Sequence, residues 1–265
     1  MKNYLEINRQ SWNAKVEPHM KSKFYDVESF IKGRNSIPEN DRKLLGDISG
    51  KSVLHLQCHF GQDSVSLSRM GAEVTGADIS DLAIEAAENL AKTCGTDTHF
   101  VCSDLYHLPS KLSGSFDIVY TSYGVIGWLP DLEKWAAVIS HFLKPGGKLV
   151  FAEFHPFVWM YDDFFDHIEY SYFNEKPIVE TVQGTYANPD AEIIQEYVMW
   201  NHPTSDVLNA VVRNGLEILS FDEFCYSPFP CFKDVEEVDK GKFLLSKFGN
   251  KVPVTFALCA VKKEA

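Results

Sequence analysis

A short apolar run at Ser52–Leu56 leads into a turn at 60–62 and a helical run at 64–70. A second strand signal follows at 73–77 and ends on the carboxylate of Asp78. No other feature constrains the fold of this chain as tightly. A strand–turn–helix–strand unit with an acid at the tip of its second strand is how a doubly wound sheet grips a nucleoside. Backbone N–H groups of the turn face the ligand, and the acid accepts from ribose hydroxyls. A dinucleotide loop would read G-x-G-x-x-G to let the backbone approach a pyrophosphate. Here only Gly61 remains, with Gln57 and His59 at positions where such loops carry glycine. That argues against a nicotinamide-dependent oxidoreductase and leaves room for a nucleoside cofactor without phosphate.

The alternation continues. Ser80-Asp81 opens a helix with Leu82, Ala83, Ala86, Ala87, Leu90 and Ala91 on one stripe. Thr98–Cys102 reads as a third strand and 116–120 as a fourth. Pro130-Asp131 opens a helix carrying Leu132, Trp135, Ala136, Ile139, Phe142 and Leu143, which Pro145-Gly146-Gly147 stops before a fifth strand at 148–154. Residues 155–200 are aromatic-rich without a helical period and read as an inserted lid of short strands. Thr204 is placed as the N-cap of a last helix ended by Gly215, and strands at Leu216–Phe224 and 255–261 are joined by a non-helical loop. Such a loop suits an antiparallel last strand. The expected fold is α/β: a doubly wound seven-stranded sheet, mostly parallel with an antiparallel last strand, helices on both faces, plus the lid. The expected division is an N-terminal helical cover at 1–48 and a Rossmann-like domain at 49–265, with the lid at about 156–202.

The net charge of −12 argues against nucleic acid, whose phosphates need clustered Lys and Arg. No window holds the ~18 apolar residues of a membrane span, and the polar start MKNYLEINRQSWN is not a signal peptide. The expected setting is therefore the cytoplasm, as a monomer or homodimer. The six cysteines show no CxxC pairing, and no metal site is expected.

Five segments now fall in a telling order: VLHLQCHFG, GADIS, CSDLYHLP, FDIVYTSYGVIGWLPDL and LKPGGKLVFAEFHP. In order and spacing they resemble the class I S-adenosylmethionine-dependent methyltransferases over residues 50–156, and LEILSFDEF with TFALCAV is similar to that family's last two strands. The first segment departs from the family's V-L-D-L-G-C-G-x-G, with His55, Gln57 and His59 at the Asp and two Gly positions. Negative φ angles, or a slightly different bend, are expected at Gln57 and His59 to keep the backbone open to ligand. Asp63, His55 or His59 would stand in for the missing acid.

The resemblance implies S-adenosyl-L-methionine as cofactor and S-adenosyl-L-homocysteine as product. Asp78 would take the ribose hydroxyls and Ile79 the adenine face. Asp104 would accept from the adenine amine and the Leu105 N–H would meet a ring nitrogen, beside Ser103. Gln57, Cys58, His59, Gly61, Gln62, Asp63, Ser122 and Tyr123 would enclose the methionine end, with Gly61 required by close backbone approach. Trp12 or Tyr25 would shield the sulfonium. A small, partly apolar methyl acceptor would meet Tyr25, Trp128, His155, Trp159 and Trp200. Transfer to O or N would proceed by in-line displacement. His155 is the candidate general base, with His202 as runner-up. A cofactor-binding module without catalysis and a tRNA or protein methyltransferase are the alternatives.

Overall fold

The computed structural model describes residues 3–264. Three helices come first: α1 (Tyr4–Met20), α2 (Val27–Ile31) and α3 (Glu39–Leu45). There follow β1 (Ser52–Leu56), α4 (Gln62–Arg69), β2 (Glu73–Asp78), α5 (Asp81–Cys94), β3 (Thr98–Cys102), α6 (Leu108–Lys111), β4 (Phe116–Ser122), α7 (Leu132–Phe142) and β5 (Leu143–Phe154). The remainder is β6 (Ile178–Gln183), β7 (Ile194–Met199), α8 (Thr204–Arg213), β8 (Leu216–Phe224), β9 (Val235–Asp239), β10 (Lys242–Leu245) and β11 (Thr255–Lys262).

Seven strands form one sheet in the order β3-β2-β1-β4-β5-β11-β8. The first five are parallel, while β11 runs antiparallel to both β5 and β8. Strand order reverses between β1 and β4. A cleft outside the carboxyl ends of the strands at that reversal is where open α/β sheets hold ligands. The doubly wound, mostly parallel fold expected from the sequence is the one observed.

Local chemistry explains the main elements. The Ser80 hydroxyl caps α5 by accepting from Ala83 N at 3.0 Å, and Asp131 caps α7 by accepting from Lys134 N at 3.1 Å. The apolar stripe of α7 is buried, with Trp135 and Phe142 at 0% exposure against Phe151 of β5. Each such side chain contributes roughly 1.5–3 kcal/mol through burial. Three local expectations need correction. Leu82 is 45% exposed, because the buried stripe of α5 runs through Ile84 instead. Pro145-Gly146-Gly147 lies inside β5, where the β4 register jumps from Phe116↔Leu143 to Ile118↔Lys148. Thr204 is the first helical residue of α8 and Pro203 precedes it as the cap.

Two small antiparallel hairpins lie outside the main sheet, β6–β7 and β9–β10. The second occupies the stretch between β8 and β11 that the sequence offered only as a loop.

Candidate active site

Asp78 ends β2, the neighbour of β1 on one side of the strand-order reversal. Its carboxylate accepts from His59 N at 2.8 Å through Oδ2 and from Ser80 N at 2.8 Å through Oδ1. Burial raises its pKa to about 6 against the pull of these backbone donors. Each oxygen keeps a further lone pair for a ligand hydroxyl.

The turn after β1 corrects the sequence expectation. Gln57 and His59 have φ of +54° and +51°, in the left-handed region that glycine normally occupies. The chain keeps the glycine-type bend and pays for it with strain of roughly 1–2 kcal/mol per residue. Two hydrogen bonds hold the strained side chains. Gln57 Nε2 donates to Val125 O at 2.9 Å, and His59 Nε2 shares a hydrogen bond of 2.9 Å with His19 Nδ1. The other polar atoms, Gln57 Oε1 and His59 Nδ1, are buried with no hydrogen-bond partner among the described residues. Buried polar atoms left unpaired are costly, so this pair is a candidate ligand contact.

Gly61, with φ of +79°, is also explained differently. A Cβ there would stand 2.8 Å from the Cβ of Ala87 and 2.9 Å from the Phe100 ring. Packing of α4 against α5 and β3 by itself requires the glycine. His55, in the place of the usual acid, shares a 2.8 Å hydrogen bond with Ser64 Oγ, and burial lowers its pKa to about 3. It is therefore neutral near pH 7 and brings no charge to the place of the usual acid.

On the far side of β2, Ser103 N donates to Asp78 O at 2.8 Å. Asp104 accepts from His107 N at 3.2 Å and contacts its ring Nδ1 at 2.9 Å, which fixes the turn at Leu105–His107.

A cavity of about 810 Å³ opens from this end. Trp12, Gln57, Cys58, His59, Gly61, Gln62, Asp63, Asp78, Ile79, Ser103, Asp104, Leu105, Ser122 and Tyr123 all line it, as do Tyr25, Trp128 and Trp159. His155 and Trp200 do not. His155 accepts from Phe157 N at 3.1 Å through Nδ1, and its Nε2 lies 2.9 Å from Glu223 Oε1. Nδ1 is engaged by the loop after β5 and Nε2 by Glu223 of β8, the far edge strand of the sheet, so neither nitrogen faces this cavity. Trp200 packs edge-on to Tyr4, with ring centres 5.2 Å apart. His202 is also turned away, its Nε2 sharing a 2.7 Å hydrogen bond with Leu129 O.

The opposite wall is built from distant segments. Asn8 of α1 forms a two-way amide pair with the backbone of Val198 in β7, at 2.9 and 2.8 Å, and Ser11 Oγ donates to Gln195 at 2.8 Å. Arg9 and Asn13 tie the same helix to Asp81 at the start of α5. These bonds lay α1 across the cavity. The loop at 123–128 is held from behind by Glu153, whose buried carboxylate accepts from the N–H groups of Gly124, Val125, Ile126 and Phe154. Tyr123, at φ +38°, donates to Asp41 at 3.0 Å, and Tyr120 donates to the same carboxylate at 2.7 Å. Burial raises Asp41 to about 7.

Sequence reasoning missed Lys15, Tyr186, Tyr197 and Phe229, which also line the cavity. A signal for the first did exist. Asn8, Ser11, Lys15 and His19 recur at helical spacing, and all four are buried. A buried stripe made of polar groups hides from a search for apolar periodicity.

The geometry has counterparts among known proteins. Residues 53–147 match the family model described as a methyltransferase domain. A ubiquinone biosynthesis O-methyltransferase from Coxiella burnetii (strain Dugway 5J108-111) is 29% identical over 68% of this chain and 70% of that protein. Its counterpart from Idiomarina loihiensis is 31% identical over 39% of this chain and 42% of its own length, so the chain spans less than half of that relative. Among solved structures, a geranyl diphosphate C-methyltransferase from Streptomyces coelicolor A3(2) superposes with a TM-score of 0.60 at 14% identity, covering 98% of both chains. A putative methyltransferase from Listeria monocytogenes does so with a TM-score of 0.59 at 18% identity, over 85% of this chain and 97% of that one. Residues 53–147 match a methyltransferase domain, and the ordered motifs, the seven-stranded sheet and the relatives together support a class I S-adenosylmethionine-dependent methyltransferase.

Proposed function

We propose that the protein moves a methyl group from S-adenosyl-L-methionine to an oxygen of a small, partly apolar molecule. The observation that carries this reading is a single cavity of about 810 Å³ with a carboxylate-tipped strand at one end and aromatic rings at the other. Oxygen as the accepting atom rests on the O-methyltransferase relatives.

Asp78 is assigned to the ribose hydroxyls, Ile79 and Leu105 to the adenine, and Asp104 to its amine. Gln57 Oε1, buried and unpaired, suits the ammonium of an amino acid moiety, and His59 Nδ1 offers a second polar contact beside it. These two atoms answer for the missing acid at position 55. When bound, the cofactor supplies a methyl group already activated by positive sulfur, so the chain's task is alignment and exclusion of water. Residues 1–48 act as the cover: α1, pinned to β7 and α5, closes the cavity from above. Trp159, Trp128 and Tyr25 face the acceptor. The absence of a described helix long and apolar enough to cross a membrane and the net charge of −12 suit an enzyme of the cytoplasm acting on free metabolites.

The test is transfer of labelled methyl from S-adenosyl-L-methionine to a panel of hydroxyl compounds including catechol. Label in an acceptor oxygen, with one S-adenosyl-L-homocysteine released per methyl, is expected. Tight cofactor binding with no transfer to any member of a broad panel would favour a binding module. Label found only in tRNA or protein would overturn the small-molecule reading.

A further inference from the structure

Lys15 is a cation that lines the cavity beside the aromatic rings of the acceptor wall. It is 5% exposed and sits on the inward face of α1. Its Nζ lies 4.4 Å from the centre of the Trp12 ring, 4.8 Å from that of Trp128 and 5.6 Å from that of Tyr197. An ammonium has three donors, yet Lys15 makes a single hydrogen bond among the described residues, to Ser11 Oγ at 3.2 Å. No carboxylate pairs with it among the described residues. A buried lysine without a counter-ion, facing a ligand cavity through a frame of aromatic rings, is costly unless a ligand supplies the partner.

We propose that Lys15 Nζ receives the proton of an acidic hydroxyl on the methyl acceptor and holds the resulting oxyanion, so that the acceptor is a phenol or a similarly acidic enol. The inference rests on the methyltransferase reading and adds to it the acceptor's class and the residue that ionises it. The proton leaves the hydroxyl for the lysine amine, giving a phenolate paired with an ammonium. The oxygen's freed electron pair forms the new O–CH₃ bond as the S–CH₃ bond breaks and its electrons return to sulfur. The lysine then loses its extra proton to water as product departs.

The surroundings suit this role. Burial brings Lys15 down to about 7, so amine and ammonium are both available near neutral pH, while the three ring faces favour the charged form and moderate the shift. The titratable groups around it do not compete. His19 and His59 are held neutral by burial, and the Tyr197 hydroxyl is committed to Glu180. An amine that titrates near 7 can ionise a phenol, whose reference pKa is about 10, but not an ordinary alcohol. The walls also fit a flat ring, since Trp12, Trp128 and Tyr197 can stack with one or meet it edge-on.

The experiment uses 4-nitrophenol, whose phenolate absorbs at longer wavelength than the neutral form, titrated into full-length protein saturated with S-adenosyl-L-homocysteine at pH 6. Wild type is expected to bind the probe as phenolate even where free probe is mostly protonated. Lys15→Met should bind it about tenfold or more weakly and only in its neutral form, as expected for loss of a charge-assisted hydrogen bond. Lys15→Arg, which keeps the charge, should restore phenolate binding. Calorimetry of S-adenosyl-L-homocysteine with each variant separates the possible failures. An unchanged probe spectrum in Lys15→Met, or no phenolate bound to wild type, overturns the proposal. Equal loss of probe and S-adenosyl-L-homocysteine in Lys15→Met overturns it too, by placing Lys15 on the cofactor's carboxylate. Failure of wild type to bind S-adenosyl-L-homocysteine at all would overturn the reading of the site and this proposal with it. Should Lys15→Met not fold, the wild-type spectrum and Lys15→Arg decide alone.

Discussion

At the nucleoside end of the cavity, polar atoms are fixed by near neighbours in the chain: His59 N reaches Asp78 across nineteen positions and Ser80 N reaches it across two. At the acceptor end the bond that seats α1, from Asn8 to Val198, spans 190 positions. The rings around Lys15 come from α1, the loop after β4 and β7. One end is a rigid local motif on parallel strands, whose identity is dictated by backbone geometry. The other is assembled from whatever the chain delivers to the same place, so its chemistry can vary without disturbing the sheet.

Four substitutions would break or sharpen that contrast. The largest expected effect is at Asp78. Asp78→Ala should weaken S-adenosyl-L-homocysteine binding by about 100-fold or more in calorimetry, because two ligand hydroxyls and two backbone N–H groups lose one acceptor together. Fold stability should fall by no more than about 1–3 kcal/mol, from the N–H groups left unpaired. A loss of under about threefold would remove Asp78 from the nucleoside site.

Asp41 supports the other end, beneath Tyr120 and Tyr123. Its pKa is raised from 3.8 to about 7 on folding, so its contribution to stability is full below pH ~4 and is lost as pH rises to about 7. Asp41→Asn should flatten that dependence and raise stability at pH 8 by roughly 2–4 kcal/mol relative to wild type. Urea unfolding at pH 4 and pH 8 measures it. An unaltered difference between the two pH values would show that the carboxylate is not desolvated as the structure places it.

Gln57→Gly separates strain from contact. Glycine accepts φ of +54° without cost, so the fold should gain about 1 kcal/mol, less the lost bond to Val125. Cofactor affinity should fall several-fold as the unpaired Oε1 disappears. Unchanged affinity would mean that Gln57 merely tolerates the ligand. The smallest effect is expected at His155. His155→Ala should leave S-adenosyl-L-homocysteine and 4-nitrophenol affinities within about twofold of wild type, since its nitrogens face Phe157 and Glu223. A larger change would put it back in the site.

The same contrast governs what the sequence reveals. The β1–β2 unit and Asp78 are legible because strand period, turn and acid lie within 27 residues of one another. The conformation of Gln57 and His59 is not, since left-handed φ in a side-chain-bearing residue runs against local preference and is enforced by the sheet around it. His155 was misplaced for a different reason. Its position at the end of β5 is right for a ligand, but the direction of its side chain depends on β8, more than sixty residues later. Lys15 escaped because the stripe that carries it is polar and invisible to apolar periodicity, and its three rings meet only in the folded chain.

The central claim is that Asp78 grips a nucleoside through an ionised carboxylate at the tip of β2. Its titration near pH 6 makes that claim measurable, because ligand hydroxyls donate to the charged form. Calorimetry of S-adenosyl-L-homocysteine from pH 5 to pH 8 should give one site, with affinity level above about pH 6 and falling toward tenfold per pH unit below it. That pH dependence should vanish in Asp78→Asn. Absence of saturable binding, or an affinity indifferent to pH in wild type, would contradict the account.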